Sequence, residues 1–155
     1  MKKAVLTNLF ILLAVVSFSQ KQFSLTELLQ LNQLSTEGLT VELKRNGFRL
    51  IENSKDAFIR LLGFTNQQKQ VISKAFLPNK TSSLTLDTPA PFPLEQFKKQ
   101  LASSGFILHH KNQLKGAYME IYRKEKATIT ITFPDDTEDG KLLALYMIAI
   151  VSATE

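Results

Sequence analysis

The stretch LTVELKRNGFRL at residues 39–50 decides the fold, because FKKQLASSGFIL at residues 97–108 repeats its pattern 58 positions later. In both stretches, apolar residues four positions apart are followed by a glycine and then a phenylalanine. This pattern predicts a helix with one apolar stripe, which ends at a left-handed glycine and a phenylalanine that packs back on the last turn. Gly47 and Gly105 are therefore interpreted as helix caps and not as phosphate-binding glycines.

The similarity between the two stretches continues further along the chain. Residues 57–61, AFIRL, match residues 117–121, AYMEI, at a spacing of 60, and Phe76-Leu77-Pro78 matches Phe133-Pro134 at a spacing of 57. Several matching segments in similar register predict a structural repeat. The chain is therefore expected to consist of two related halves.

Short segments with strand character follow each predicted cap. They are rich in Ile, Thr, Phe and Tyr, and polar turns separate them. The predicted strands are residues 48–52, 57–64, 69–76 and 83–87 in the first half, and residues 106–110, 117–123, 128–133 and 142–151 in the second. The last of these is an uncharged apolar run, which we interpret as a central strand buried on both faces, with a helix as the alternative.

The predicted fold class is α+β, with two related helix-then-antiparallel-strand repeats and the helices packed on one face of an antiparallel sheet. Ser24-Leu25-Thr26-Glu27 fits a capping box and predicts an additional helix at the start of the first half. The predicted organisation is a signal peptide at 1–19, a first half at 20–87, a proline-rich connector at 88–93 and a second half at 94–155, all in one compact domain.

The first residues predict export. Lys2 and Lys3 precede an apolar run from Ala4 to Val16, and Ser17-Phe18-Ser19 supplies small residues for a signal peptidase. The run is shorter than the ~20 residues that a membrane-spanning helix needs, so we expect cleavage before Gln20 and no membrane span afterwards. The mature protein is predicted to be periplasmic or secreted.

Composition and charge exclude several classes of function. The 155 residues contain no Cys, no Trp and two His, so cysteine-based zinc sites, thiol chemistry and disulfides are absent. The net charge is +5, and without Lys2 and Lys3 the basic count falls from 19 to 17 against 14 acids, which leaves +3. The basic residues are scattered, whereas nucleic-acid binding typically needs a dense basic surface. We therefore expect no nucleic-acid partner.

No motif predicts catalysis, a metal or a cofactor. His109 and His110 are adjacent, and on a regular strand their rings would point to opposite faces, so a shared metal is not expected. The acidic cluster at 135–140 lacks the carboxylate that closes a calcium loop, and we interpret it as a solvated turn. No serine lies in a G-x-S-x-G elbow. The protein is predicted to be non-catalytic.

One face of the sheet is the candidate binding site. Ala57, Ile59 and Leu61 match Ala117, Met119 and Ile121, and these apolar rows are predicted to face the helices. The opposite rows mix aromatic and charged side chains, which is the composition of interface hot spots. The predicted partner-binding residues are Phe58, Arg60, Tyr118, Glu120 and Tyr122.

Two resemblances add to this interpretation. Ser17-Phe18-Ser19, the opening FSLTELL at 23–29 and the helix exit KRNGF at 44–48 resemble small, uncharacterised exported proteins of the Bacteroidota type. That resemblance implies location and no activity. The layout of two helix-then-strand repeats is similar to the β-lactamase inhibitor protein family, whose sheet face binds another protein. The paired cysteines of that family have no counterpart here.

The sequence leaves two functions open. The first is an exported, non-catalytic module that binds a protein or peptide partner of the cell envelope, with the oligomeric state undetermined. The alternative is a carrier that holds an apolar ligand or lipid between helices and sheet, in a pocket lined by Leu28, Phe97 and Met119. A hydrolytic function is disfavoured, because no nucleophile–base pair is visible.

Overall fold

The computed structural model describes residues 21–56, 58–77 and 81–153. The predicted signal peptide at 1–19 lies outside these residues, as do Ala57 and Pro78, which took part in the predicted repeat. The helices and strands of the described part are α1 (Leu25–Gln33), α2 (Thr36–Arg45), β1 (Arg49–Lys55), β2 (Arg60–Thr65), β3 (Val71–Phe76), β4 (Thr81–Pro89), α3 (Leu94–Ser103), β5 (Ile107–Leu114), β6 (Ala117–Lys124), β7 (Ala127–Pro134), α4 (Glu138–Leu143) and β8 (Leu145–Ala153).

The strands form one antiparallel sheet in the order β1-β2-β3-β4-β8-β7-β6-β5. Each half of the chain contributes four consecutive strands, and the last strands of the two halves, β4 and β8, pair in the centre. Helices α1 and α3 supply core side chains to one side of this sheet, and α2 packs against β1. The predicted α+β class and the two helix-then-strand repeats are confirmed.

The central pair of strands shows the symmetry of the repeat. Leu84 pairs with Ile150, Leu86 pairs with Ile148, and Thr85 pairs with Ala149 between them. A local two-fold axis through the Thr85–Ala149 pair therefore exchanges the two halves. Because the four large side chains around this axis are buried, the seam between the halves lies in the middle of the core.

The two helix exits have the same geometry. Gly47 has φ +80° and Gly105 has φ +83°, which is the left-handed region that favours glycine. The Phe48 N–H donates to the Leu43 carbonyl at 2.9 Å, and the equivalent Phe106 N–H donates to its helix carbonyl at 3.0 Å. Both phenylalanines are buried. The predicted caps are confirmed as Schellman motifs.

The edge strands also match, through a bulge in each. The register shifts between Leu50 and Glu52 in β1 and between Leu108 and His110 in β5, 58 positions later. Beyond the bulges, Leu62 pairs with Asn53 just as Glu120 pairs with Lys111, so the spacing of 58 continues into β2 and β6. The predicted spacing of 60 for these strands is therefore wrong by two residues.

The core occupies the side of the sheet under α1 and α3. Side chains from alternate positions of six inner strands pack there against the apolar stripes of the helices. The most deeply buried large residues are Phe64, Phe97, Leu25, Leu28, Leu39, Leu43, Leu62, Ile72, Leu84, Leu86 and Leu101. Within the described part of the chain, no helix has both the length and the apolar composition that crossing a membrane requires.

The predictions for the C-terminal segment need two corrections. Strand β8 begins at Leu145, and its central position is confirmed, but it is buried on one face only, since Met147 and Val151 are each 40% exposed. The acidic cluster is exposed at residues 136–139, as predicted, but it begins helix α4 instead of forming a turn between two strands, because Thr137 caps that helix and its hydroxyl donates to the buried Asp135. The first correction has a tertiary reason, since the helices cover one side of the sheet, and the second has a local reason, since Thr137 caps the helix.

Candidate functional site

The sheet faces are oriented opposite to the prediction. Glu120 and Tyr122 are 3% and 9% exposed and point to the helix side, whereas Met119 and Ile121 lie on the other side. Both rows of β6 contain apolar or aromatic residues, so alternation alone does not fix which one is buried. The prediction that Tyr118, Glu120 and Tyr122 form an outward-facing row is wrong.

Glu120 is buried but fully paired. The Lys98 ammonium lies 2.9 Å from its Oε2, Lys111 lies 3.3 Å from its Oε1, and the Tyr122 hydroxyl donates to Oε2 at 2.8 Å. Burial by itself raises the pKa of Glu120, but the hydrogen bonds from Lys98 and Tyr122 outweigh it and leave that pKa below its ordinary value. Burial and the adjacent carboxylate raise the pKa of Tyr122. Glu120 is thus an ionised anchor for α3 and β5, because Lys98 and Lys111 belong to these two elements.

Tyr118 completes this cluster from the same strand. Its ring centroid lies 5.7 Å from that of Phe133, and the Lys111 ammonium lies 5.2 Å from the centroid of the Tyr118 ring. Lys98 lies 4.5 Å from the centroid of the Phe133 ring. Each lysine of this cluster therefore contacts both the carboxylate and an aromatic ring. Such a cluster is suited to holding helix α3 on the sheet, and not to acid–base chemistry.

Phe58 and Arg60 lie far from that cluster. Phe58 is 73% exposed and precedes β2, and Arg60 begins β2 and donates to Asn53 at 3.4 Å. Because β3, β4, β8 and β7 separate β2 from β6, the two strands are about 24 Å apart. The five predicted residues therefore do not form one patch.

The side of the sheet opposite α1 and α3 is the better candidate, and we call it the open face. Strand pairing arranges its side chains in three rows that cross all eight strands. The rows are Arg49, Thr65, Val71, Asp87, Met147, Thr132, Met119 and Asn112; Glu52, Gly63, Ser73, Thr85, Ala149, Thr130, Ile121 and His110; and Ser54, Leu61, Ala75, Ser83, Val151, Thr128, Arg123 and Ile107.

Short side chains and few charges characterise the open face. Most positions on the six inner strands are Thr, Ser, Ala or Gly, and in the three rows only Asp87 and Arg123 of these strands are charged. Three of the larger apolar residues are exposed, with Ile107 at 73% and Met147 and Val151 at 40% each, and Leu61, Val71, Met119 and Ile121 are half-buried. A broad, weakly charged sheet surface of this kind can dock against another protein with a small loss of solvation.

Asp87 is the exception in the middle of this face. Its Oδ1 is buried and has no hydrogen-bond partner in the described part of the protein, and burial raises the pKa of the carboxyl group. Asp87 pairs across the strands with Val71 and Met147, which offer no side-chain donor. Sequence reasoning missed this residue because its significance depends on which strands flank β4.

Lys74 is a second residue that the sequence analysis missed. It is 1% exposed on the helix side of β3, and its ammonium donates to the carbonyls of Leu31, Asn32 and Leu34 at 3.1, 2.7 and 2.8 Å. Burial lowers the pKa of Lys74 to about 8. The lysine thereby binds the carbonyl end of α1, where a cation is favoured. The burial of Lys74 could have been predicted from the alternation of the strand, since Ile72 and Phe76 lie on the same face two positions away on either side.

The pocket predicted for an apolar ligand is not assembled from the predicted residues. Leu28 and Phe97 are 0% and 2% exposed within the core, and Met119 lies on the opposite side of the sheet. The structure instead has an open groove of about 600 Å³ at one end of the sheet, where Leu29, Phe106 and Lys126 are among the lining residues. No group of three or more His, Asp or Glu residues suited to a metal is found among the described residues.

Comparison with protein-family models, with curated proteins and with solved structures finds no match for this chain. The resemblances to exported Bacteroidota proteins and to the β-lactamase inhibitor protein family therefore stay predictions.

Proposed function

We propose that this protein is an exported, non-catalytic interaction module of the cell envelope, and that it binds a protein partner through the open face. The observation that carries the proposal is an eight-stranded sheet with one face packed under helices and the other face accessible, with only two charged residues on its six inner strands. Export rests on the sequence of residues 1–19 alone.

The size of the open face supports protein binding. Eight strands at a spacing of about 4.8 Å, each about seven residues long, span roughly 38 by 23 Å. This area is close to the roughly 800 Å² that each partner buries in a standard protein–protein interface. Ile107, Met147 and Val151 supply exposed apolar surface on this face, and the half-buried Asp87 supplies one of its few charges.

The chemistry of the titratable groups supports a non-catalytic role. Glu120 is ionised and has three partners, and the Lys74 ammonium is engaged by three carbonyls. A general acid or base needs a group that can exchange its proton with a substrate near the working pH. Neither buried charge meets this requirement, since the pKa of Glu120 is lowered and Lys74, whose pKa is about 8, is 1% exposed and donates only to main-chain carbonyls.

The groove at the end of the sheet favours the alternative function, a carrier of an apolar ligand. Leu29, Phe106 and Ala127 give it apolar lining, and Lys124 and Lys126 are cationic lining residues. Native mass spectrometry of the purified protein with a long-chain fatty acid tests this function. Retention of the fatty acid by the protein, and its loss in the variant Ala127→Arg, would favour the carrier over the interaction module.

A photo-crosslinking experiment tests the proposed function. The full 155-residue chain is produced in cells with p-benzoylphenylalanine in place of Ile107, which is 73% exposed at the edge of the open face. The matched control carries the same amino acid in place of Val41, which is 60% exposed on α2. We expect a discrete protein adduct from position 107 and none from position 41. Absence of an adduct from position 107, with an unchanged melting temperature, would contradict the proposal.

A further inference from the structure

The two charges on the inner strands of the open face have no ionic partner in the described part of the protein. Asp87 takes part in no ion pair, and Arg123 has only an imidazole neighbour, with its Nη1 3.2 Å from Nε2 of His109. The buried Oδ1 of Asp87 also lacks a hydrogen bond. A carboxylate and a guanidinium form strong, charge-assisted hydrogen bonds when they meet.

The positions of Asp87 and Arg123 prevent them from meeting within one molecule. Three strand spacings separate β4 from β6, or about 14 Å. Asp87 lies in the same cross-strand row as Met119, and Arg123 lies four residues further along β6, which adds about 13 Å along the strands. The resulting separation of about 20 Å is far beyond the reach of the two side chains.

A two-fold axis in the plane of the open face would bring these charges together between two molecules. The axis must be the perpendicular bisector of the line from Asp87 to Arg123. Asp87 of each copy then lies over Arg123 of the other copy, which gives two ion pairs. Since the separations across and along the strands are nearly equal, this axis runs about 45° to the strands. The two sheets then cross at about 90°, which is one of the two packing arrangements that sheets adopt.

The same axis brings together complementary side chains elsewhere on the face. It passes between Ala149 and Thr130, which are adjacent on paired strands and short enough for two sheets to approach closely. It brings Met147 of one copy next to Ile121 of the other, and it brings the two copies of Met119 next to each other. The apolar contacts thus lie between the two charge pairs.

We propose that the partner of the open face is a second copy of this chain, stacked on it at about a right angle, with Asp87 of each copy paired with Arg123 of the other. This inference rests on the proposed function, because both use the open face. A crossed overlap of about 25 by 25 Å buries roughly 600 Å² on each copy, which is at the lower end of the range for specific interfaces.

Sedimentation equilibrium of the protein purified after export tests the inference with charge reversals. We expect a reversible dimer, and we expect Asp87→Arg or Arg123→Asp alone to weaken it at least roughly tenfold, because each places like charges in contact. The double variant with both reversals restores opposite pairs and should recover most of the lost affinity. The control Lys99→Asp makes the same charge change as Arg123→Asp, at an exposed position on α3, and should leave the dimer unchanged.

The outcomes separate this inference from the proposed function. A monomer at every concentration, or a double variant that stays as weak as the single ones, overturns the self-association. Photo-crosslinking at position 107 shows independently what binds the open face. An adduct with the mass of two copies supports the inference, an adduct of another mass overturns it and retains the proposed function, and the absence of any adduct overturns both.

Discussion

The buried lysine gives a stability prediction that the structure makes quantitative. Replacing Lys74 by Met retains the length of the side chain and removes three hydrogen bonds to the carbonyls of Leu31, Asn32 and Leu34. The first two carbonyls keep a second donor, from the Leu34 N–H and the Ser82 hydroxyl. The Leu34 carbonyl has no other donor among the hydrogen bonds of the described residues, so we expect a loss of about 2 kcal/mol at neutral pH.

The pH dependence of this difference identifies its cause. Burial lowers the pKa of folded Lys74 to about 8, from an ordinary value of 10.5. Between these values the unfolded chain binds more protons than the folded protein, so the contribution of Lys74 to stability rises with pH. The difference in the free energy of unfolding between the wild-type protein and Lys74→Met should therefore exceed its value at neutral pH by about 1 kcal/mol at about pH 9 and by about 2 to 3 kcal/mol at about pH 10.

Urea denaturation followed by circular dichroism, on both proteins over this pH range, measures the effect. Titration of the other groups is common to both proteins and cancels in the difference of their free energies of unfolding. A difference that stays constant from about pH 7 to about pH 10 would refute the reasoning, because it would mean that the carbonyls hold the ammonium charged in spite of its burial.

Three further predictions concern the folded state. Glu120→Gln removes the charge that holds Lys98 and should lower the free energy of unfolding in urea by about 2 kcal/mol at neutral pH. Because the pKa of Glu120 is lowered, this difference should shrink as the pH falls below 4.5, the ordinary pKa of a glutamate. A difference that does not change with pH would contradict the ion pair. Gly47→Ala should cost about 1 kcal/mol at φ +80°, whereas Gly38→Ala, inside α2 and with room for a Cβ, should be neutral or stabilising by thermal denaturation. Phe97→Ala should lower the free energy of unfolding by about 3 to 5 kcal/mol, since its ring is 2% exposed; a loss under about 1 kcal/mol would show a core that collapses around it.

The sequence predicted the local features of the fold well. Gly47 and Gly105 are recognisable because a helix cap depends on residues within a few positions of each other. The threonine row of β7 follows from strict alternation, and its apolar partners Ile129 and Ile131 are buried as that pattern requires. The repeat itself emerged from such local matches, which explains why the eight strands and the helices α1, α2 and α3 could be predicted, whereas helix α4 was missed.

The candidate site depends on longer-range information. Tyr118, Glu120 and Tyr122 alternate with Met119 and Ile121, and either row could face a core, so the hydrophobic pattern of β6 is nearly symmetric. The decisive information is that Lys98 of α3 and Lys111 of β5 lie beside Glu120 and compensate its burial. No spacing in the chain records which distant residues will be neighbours, so the prediction of orientation failed there.

The two buried charges show how the repeat has become asymmetric. Lys74 occupies the position in the first half that Ile131 occupies in the second, and Glu120 occupies the position that corresponds to Leu62. Each charge holds a different helix on the core side, through the carbonyl end of α1 or through Lys98 of α3. A buried charge is tolerated only where its partners are present, so these positions fix where the helices lie.

That asymmetry makes substitutions on the open face interpretable. Asp87 and Arg123 lie on the opposite side of the sheet from both helix anchors, and neither contributes to the hydrophobic core. Sites that share no partners affect stability independently. Charge reversals at Asp87 and Arg123 should therefore leave the pH-dependent signatures of Lys74 and Glu120 intact. If they instead change those signatures, the two sides of the sheet are coupled, and a loss of binding could no longer be assigned to the open face.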